Sequence, residues 1–182
     1  DKLNKPSGEL TKADYEKVTK LLLFNNRLTD VKGLEKLNKL TELNLWRNQL
    51  TDVKGLEKLT QLTYLVLEKN QLTDVKGLEK LTQLTKLYLS KNQLTDVKGL
   101  EKLTQLANLN LKDNPDLTKA QIDQLQKALP KCKIDHNAGV VADNKPYIRP
   151  SAAAADDLPI RPSAAAADDL PAKIKALLDR YK

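Results

Sequence analysis

Among the residue types that carry chemistry, this chain offers one cysteine and one histidine. Cys132 is a candidate thiol nucleophile and His136 a candidate metal ligand or general base. A metal site needs several such ligands at suitable spacing, and no second Cys or His accompanies them. No paired carboxylates stand apart from the repeated background described below. There is no glycine-rich phosphate loop and no nucleophile–base–acid series. The sequence therefore argues against an enzyme, with no cofactor and no metal expected. The residues that remain are suited to recognition: Trp46, Tyr64, Tyr88 and Phe24 with Leu22 and Val66, accompanied by Arg47, Glu68, Lys69 and Lys91. Trp, Tyr and Arg are the types enriched where one protein grips another.

What must position them is a repeat. The string Leu-Thr-Asp-Val-Lys-Gly-Leu-Glu-Lys-Leu begins at residues 28, 50, 72 and 94, a fixed period of 22. Self-similarity of this length marks a stack of identical units sharing one core. Within each unit the pattern is L-x-x-L-x-L-x-x-N-x-L, as in Leu40, Leu43, Leu45, Asn48 and Leu50, or Leu62, Leu65, Leu67, Asn70 and Leu72. A degenerate first copy runs through Val18, Leu21, Leu23, Asn26 and Leu28. A last copy is expected through Leu129, Cys132, Ile134 and Asn137, which puts Cys132 in a core leucine position as an inert small hydrophobe. The alternation L-x-L predicts a half-buried strand. The spacing of three in Val31, Leu34, Leu37 and Leu40 predicts a 3₁₀-like arc, entered through Gly33 and its copies. Asn26, Asn48, Asn70, Asn92 and Asn114 should form a ladder satisfying backbone groups at the bend.

This pattern resembles the leucine-rich-repeat superfamily, and the 22-residue unit is most similar to the internalin-type repeats of bacteria, over about residues 10–137. The resemblance implies an α/β fold: a right-handed solenoid with a parallel concave sheet of about six strands. Helical caps at both ends and an appended C-terminal tail complete the expected architecture. It also implies a secreted or cell-surface bacterial protein.

The copies differ in an informative way. Residues 50–63 and 72–85 are identical, whereas the segments that follow read NLWRNQ, VLEKNQ, YLSKNQ and NLKDNP. Variation is concentrated on the strand positions that face away from the core. Side chains on adjacent rungs lie about 4.8 Å apart, so Leu22, Phe24, Trp46, Tyr64, Val66 and Tyr88 are expected to make one exposed patch. Arg47, Lys69 and Lys91 form a basic row along its margin, with Glu68 between. In the last copy the outward positions are expected at Lys131, Lys133 and Asp135. The sequence thus predicts a module that binds a protein or peptide ligand through this concave face. The bland alternatives are that strand propensity alone accounts for the aromatics, or that an N-terminal segment covers Leu22 and Phe24.

The expected division is an N-terminal cap and first strand over 1–27, repeats over 28–115, a C-terminal cap over 116–142, a linker over 143–168 and an amphipathic helix over 169–182. Thr11 begins a short capping helix near 11–17, and Thr118 with Gln121 makes a capping box for a helix over 118–129, stopped at Pro130. In the tail, IRPSAAAADDLP occurs at 148–159 and again at 160–171. Prolines keep its alanine runs short, so the segment reads as a linker. Ile174, Leu177, Leu178 and Tyr181 share a helical face that needs an apolar partner. That partner is expected to be a solenoid, this one or a second copy's, with an unseen partner or a frayed end as the other readings, and the alternative function is accordingly a self-associating structural protein. Near-identical repeats and a duplicated twelve-residue block point to recent duplication or to engineering.

The net charge is +7, from 31 Lys and Arg against 24 Asp and Glu. Much of it is interleaved with acids in the repeat, so nucleic acid is not the expected partner. No run approaches the roughly 20 apolar residues of a membrane span. No leader is visible, yet the chain starts at Asp1 and contains no Met, which points to a processed or trimmed N-terminus.

Overall fold

The structure is a computed structural model, and it describes residues 15–138. Six short strands form one parallel sheet in chain order: β1 (Lys20–Leu22), β2 (Glu42–Asn44), β3 (Tyr64–Val66), β4 (Lys86–Tyr88), β5 (Asn108–Asn110) and β6 (Lys133–Asp135). Four 3₁₀ turns, Leu34–Lys36, Leu56–Lys58, Leu78–Lys80 and Leu100–Lys102, close the outer side of the coils. An α-helix, α1 (Lys119–Ala128), replaces that turn in the last coil.

Parallel neighbours pair in a constant register: Leu21 opposite Leu43, Leu43 opposite Leu65, Leu65 opposite Leu87, Leu87 opposite Leu109. These leucines are buried, as are the arc residues Leu34, Leu37 and Leu40 and their copies. One continuous apolar column runs from Val18 to Cys132. No coil covers its own leucines; each is covered by the next. The strand ladders also continue past each triplet, with Leu45 N donating to Val66 O and Arg47 N to Glu68 O, and the same two bonds recurring from coil to coil.

The asparagine ladder is the second framework. Asn70 Nδ2 donates to Leu45 O in the preceding coil and to Leu67 O in its own, both at 3.0 Å, while its Oδ1 accepts from Leu50 N at 3.1 Å. Asn48, Asn92 and Asn114 repeat this arrangement, and all four are buried. Asn26 differs. It is half-buried and its Nδ2 donates only two residues back, to Phe24 O. Each buried asparagine is thus a rivet between two coils, using its amide to replace backbone partners lost at the bend.

The arc is held by its own side chains. Gly33, Gly55, Gly77 and Gly99 have φ between 93° and 102°, where a side chain is strained. Each donates its N–H to the glutamate two residues on, as in Gly55 N to Glu57 Oε2 at 2.6 Å. Asp30, Asp52, Asp74 and Asp96 each accept from the lysine N–H two residues on, at 3.0 Å.

The last coil departs from the expected register. Lys133 pairs with Asn108 and Ile134 with Leu109, an offset of 25 residues (108 to 133) where every earlier rung has 22. The expectation that Cys132 stands in the strand's first leucine position is therefore off by two: Ile134 holds it. The outward residues of the rung are Lys133 and Asp135 rather than Lys131 and Lys133. The cause is α1, whose ten residues replace a three-residue turn and lengthen the return path. Thr118 caps it through a complete capping box with Gln121, as the sequence implies. Gln126 Nε2 then ties the helix end to Leu129 O and Cys132 O. Asn137 does not extend the buried ladder. It is exposed and bonds both Asp113 N and the Asp113 carboxylate. Of the helix expected near 11–17, Tyr15 is helical and Glu16–Lys17 form a turn; the rest lies outside the described residues. So do the tail segment 143–168 and the residues Ile174, Leu177, Leu178 and Tyr181.

Candidate functional site

The concave sheet face is built from three outward rows. The first is Lys20, Glu42, Tyr64, Lys86, Asn108 and Lys133; the second Leu22, Asn44, Val66, Tyr88, Asn110 and Asp135. The third, just past the strands, is Phe24, Trp46, Glu68, Ser90 and Lys112, linked rung to rung by the backbone bonds that continue the ladder. Tyr64, Tyr88 and Trp46 are half-exposed, while Leu22 and Phe24 are 41% and 49% exposed. Seven candidates, Leu22, Phe24, Trp46, Tyr64, Val66, Glu68 and Tyr88, thus share one face. An open hollow of about 250 Å³ lies at its N-terminal end, lined by Lys20, Leu22, Glu42, Asn44 and Tyr64.

Val66 departs from expectation. At 5% exposure it is buried although it faces away from the core. On that face it is ringed by Asn44, Tyr88, Tyr64 and Glu68, and as a short side chain among longer ones it forms a floor, not a contact point. Tyr64, two residues before it, and Tyr88, its partner on the next rung, form a tilted pair with centroids 5.6 Å apart. Burial, followed by the neighbouring Tyr88 and carboxylates, pushes the Tyr64 phenol above its ordinary range.

Glu68 sits in a polar bridge. Its Oε1 accepts from the Ser90 hydroxyl one rung on and from Asn110 Nδ2 two rungs on, the latter at 3.1 Å. Lys20 and Glu42 pair across the first two rungs at 2.6 Å. Lys69 lies over the Trp46 ring, its Nζ 5.1 Å from the centroid, a cation–π contact that holds the indole in place.

The basic row occupies an unusual backbone position. Arg47, Lys69 and Lys91 have φ of 56°, 54° and 57°, in the left-handed region, and so do Asn25 and Asp113 at the same place in the flanking coils. For a residue with a Cβ this conformation costs about 1–2 kcal/mol, least for Asn and Asp. The outer coils therefore use the residue types that tolerate the bend, while three consecutive middle coils place long cations there. The sequence offers no local sign of this strain.

Cys132 is buried in the core, and burial pushes its thiol pKa up, away from the reactive thiolate. His136 is half-buried, with Nδ1 buried and unpartnered among the described residues. Among the described residues no three His, Cys, Asp or Glu side chains converge as metal ligands would, and no helix is long and apolar enough to cross a membrane.

Comparison with known proteins agrees with this geometry. The family described as "Leucine Rich repeats (2 copies)" matches residues 16–58, 39–80 and 82–127, well over half of the chain. Among solved structures, an internalin (InlF) from Listeria monocytogenes is similar at 30% identity and a TM-score of 0.66, over 72% of this chain and 39% of that one. A leucine-rich-repeat protein of Leptospira interrogans is similar at 32% identity and a TM-score of 0.62, over 70% and 34%. The functional domain of InlJ from Listeria monocytogenes, which includes a cysteine ladder, follows at 28% and 0.52, over 70% and 32%. The chain therefore spans less than two fifths of the length of each of these neighbours. No curated protein sequence matches it. With a repeated leucine column, an asparagine ladder and a matching family pattern, the chain belongs to the leucine-rich-repeat family and is built on the internalin-like 22-residue unit.

Proposed function

We infer that this solenoid is a non-enzymatic module that recognises a protein or peptide partner through its aromatic concave face, outside the cell or at its surface. The observation that carries the reading is the clustering of Leu22, Phe24, Trp46, Tyr64 and Tyr88 on one sheet face whose neighbouring coils are otherwise copies of one another. Trp46 and Tyr88 are the anchors: both are half-exposed, so a partner can still bury area on them, and both are positioned by neighbours. Val66 supports them from beneath, and the Glu68 bridge fixes the polar edge.

The test is selection of binders to the full chain from a displayed library of random peptides, followed by Trp46→Ala with Tyr88→Ala. Anchors of this type carry about 2 kcal/mol or more each, so binding should fall at least about 100-fold. Binding that survives the double substitution in a folded protein refutes the reading.

A further inference from the structure

We propose that the partner segment recognised by this face is acidic, with its carboxylates seated along Arg47, Lys69 and Lys91 and its apolar side chains on Trp46, Tyr64 and Tyr88. This rests on the reading of the concave face as the recognition surface and specifies its occupant. Three observations carry it, beginning with charge balance. Of the four acids on this face, Glu42 is paired with Lys20, Glu68 accepts from Ser90 and Asn110, and Asp113 accepts from Asn137, while Asp135 on the last rung has no side-chain partner among the described residues. The cations are not matched: Arg47, Lys86, Lys91 and Lys112 make no ion pair among the described residues, and Lys69 rests on a ring instead of a carboxylate. On the arc, Lys32, Lys54, Lys76 and Lys98 each lie within 3.4–4.0 Å of an aspartate of their own coil, although Lys58, Lys80 and Lys102 there make no ion pair among the described residues. Three of the four acids of the concave face are satisfied internally, and most of its bases await an acceptor.

Backbone strain is the second observation. Long cations occupy the left-handed position in three successive coils, where Asn25 and Asp113 show the easier choice. Strain retained at adjacent rungs fits a surface kept for contact. Spacing is the third: adjacent rungs lie about 4.8 Å apart, so the row spans about 10 Å, which an extended segment crosses in about three residues, placing carboxylates at alternate positions within reach. A nucleic acid would use the same cations but needs open ring faces for stacking. Here Lys69 covers one face of Trp46, and Tyr64 and Tyr88 are tilted against each other. The observations favour a protein segment.

The experiment uses the full chain and a displayed library of random peptides of about twelve residues. Enriched peptides should carry a net charge of about −2 or lower and at least one aromatic or leucine side chain, and a synthetic copy should lose at least about 30-fold in affinity with R47E/K69E/K91E and about tenfold from low to high salt. The triple variant R47N/K69N/K91N should also bind more weakly while its Tm stays equal or rises, because asparagine relieves the bend. A purely structural role for the cations would not give that split. Enrichment of neutral or basic peptides overturns the proposal. So does binding that W46A/Y88A abolishes but charge reversal leaves intact, in which case the recognition face stands and the acidic occupant falls. A twelve-nucleotide oligo(dT) that displaces the peptide and itself depends on Arg47, Lys69 and Lys91 overturns it in favour of single-stranded nucleic acid. Enrichment of nothing overturns both this proposal and the reading of the face.

Discussion

The two long surfaces of this solenoid obey different rules. On the outer arc each coil repeats Asp, Lys, Gly and Glu in fixed places, and its Asp and Glu carboxylates accept from backbone N–H groups within two residues, as in Gly77 N to Glu79 and Lys76 N to Asp74. On the concave face no two rungs agree, and contacts reach 22 or 42 residues along the chain, as in Ser90 and Asn110 to Glu68. A surface that closes its own hydrogen bonds locally can be copied without change. A surface whose contacts run between copies acquires individuality from every substitution. The constant arc is scaffold, and the variable face is where recognition can be written.

The sharpest way to break this contrast is to cross the sheet. Leu65→Ala, facing inward at full burial, should lose about 3–5 kcal/mol in urea unfolding, whereas Leu22→Ala on the other face should lose less than about 0.5. Next comes the ladder. Asn70→Ala orphans Leu50 N and removes one of the two amide donors that each of Leu45 O and Leu67 O receives, and should lose about 1–3 kcal/mol, against less than about 1 for Asn26→Ala. Equal losses at Asn70 and Asn26 would mean that the ladder is not what joins the coils. On the arc, Gly77→Ala places a Cβ 3.5 Å from Glu57 Cβ at φ +96° and should lose about 1–2 kcal/mol.

The smallest effect is a pH dependence. The Glu57 carboxyl is held below its ordinary value by its own backbone N–H and then by that of Gly55, against a partial rise from burial. A carboxyl with a lowered folded-state pKa adds stability that is complete above the unfolded value and is lost as pH falls through the folded one. Glu57→Gln should therefore flatten the acid limb of a Tm–pH curve slightly and leave the neutral region nearly unchanged. A steeper acid limb in that variant would show that the arc glutamates do not act through these N–H groups. Cys132 extends the contrast to the interior: its thiol should react with a disulfide reagent only on unfolding, and rapid labelling of the folded chain would place it outside the apolar column.

The repeat determined much by itself. A 22-residue period with L-x-L alternation decides which side chains face inward, because strand geometry allows only two faces and a leucine column only one. The asparagine ladder, the glycine turns and the helix capped by Thr118 and Gln121 were legible for the same reason: each is a local motif with one physical solution. Tertiary structure decided whatever depends on neighbours a coil away. Val66 is buried among longer neighbours on its own and adjacent rungs, and Trp46 is steadied by a lysine 23 positions on (46 to 69). Arg47, Lys69 and Lys91 took the left-handed bend because the shared coil geometry required it, with no glycine to announce it. The last rung slipped to Ile134 because a ten-residue helix and a three-residue turn consume different lengths of chain over the same arc, a difference that no single copy of the repeat contains.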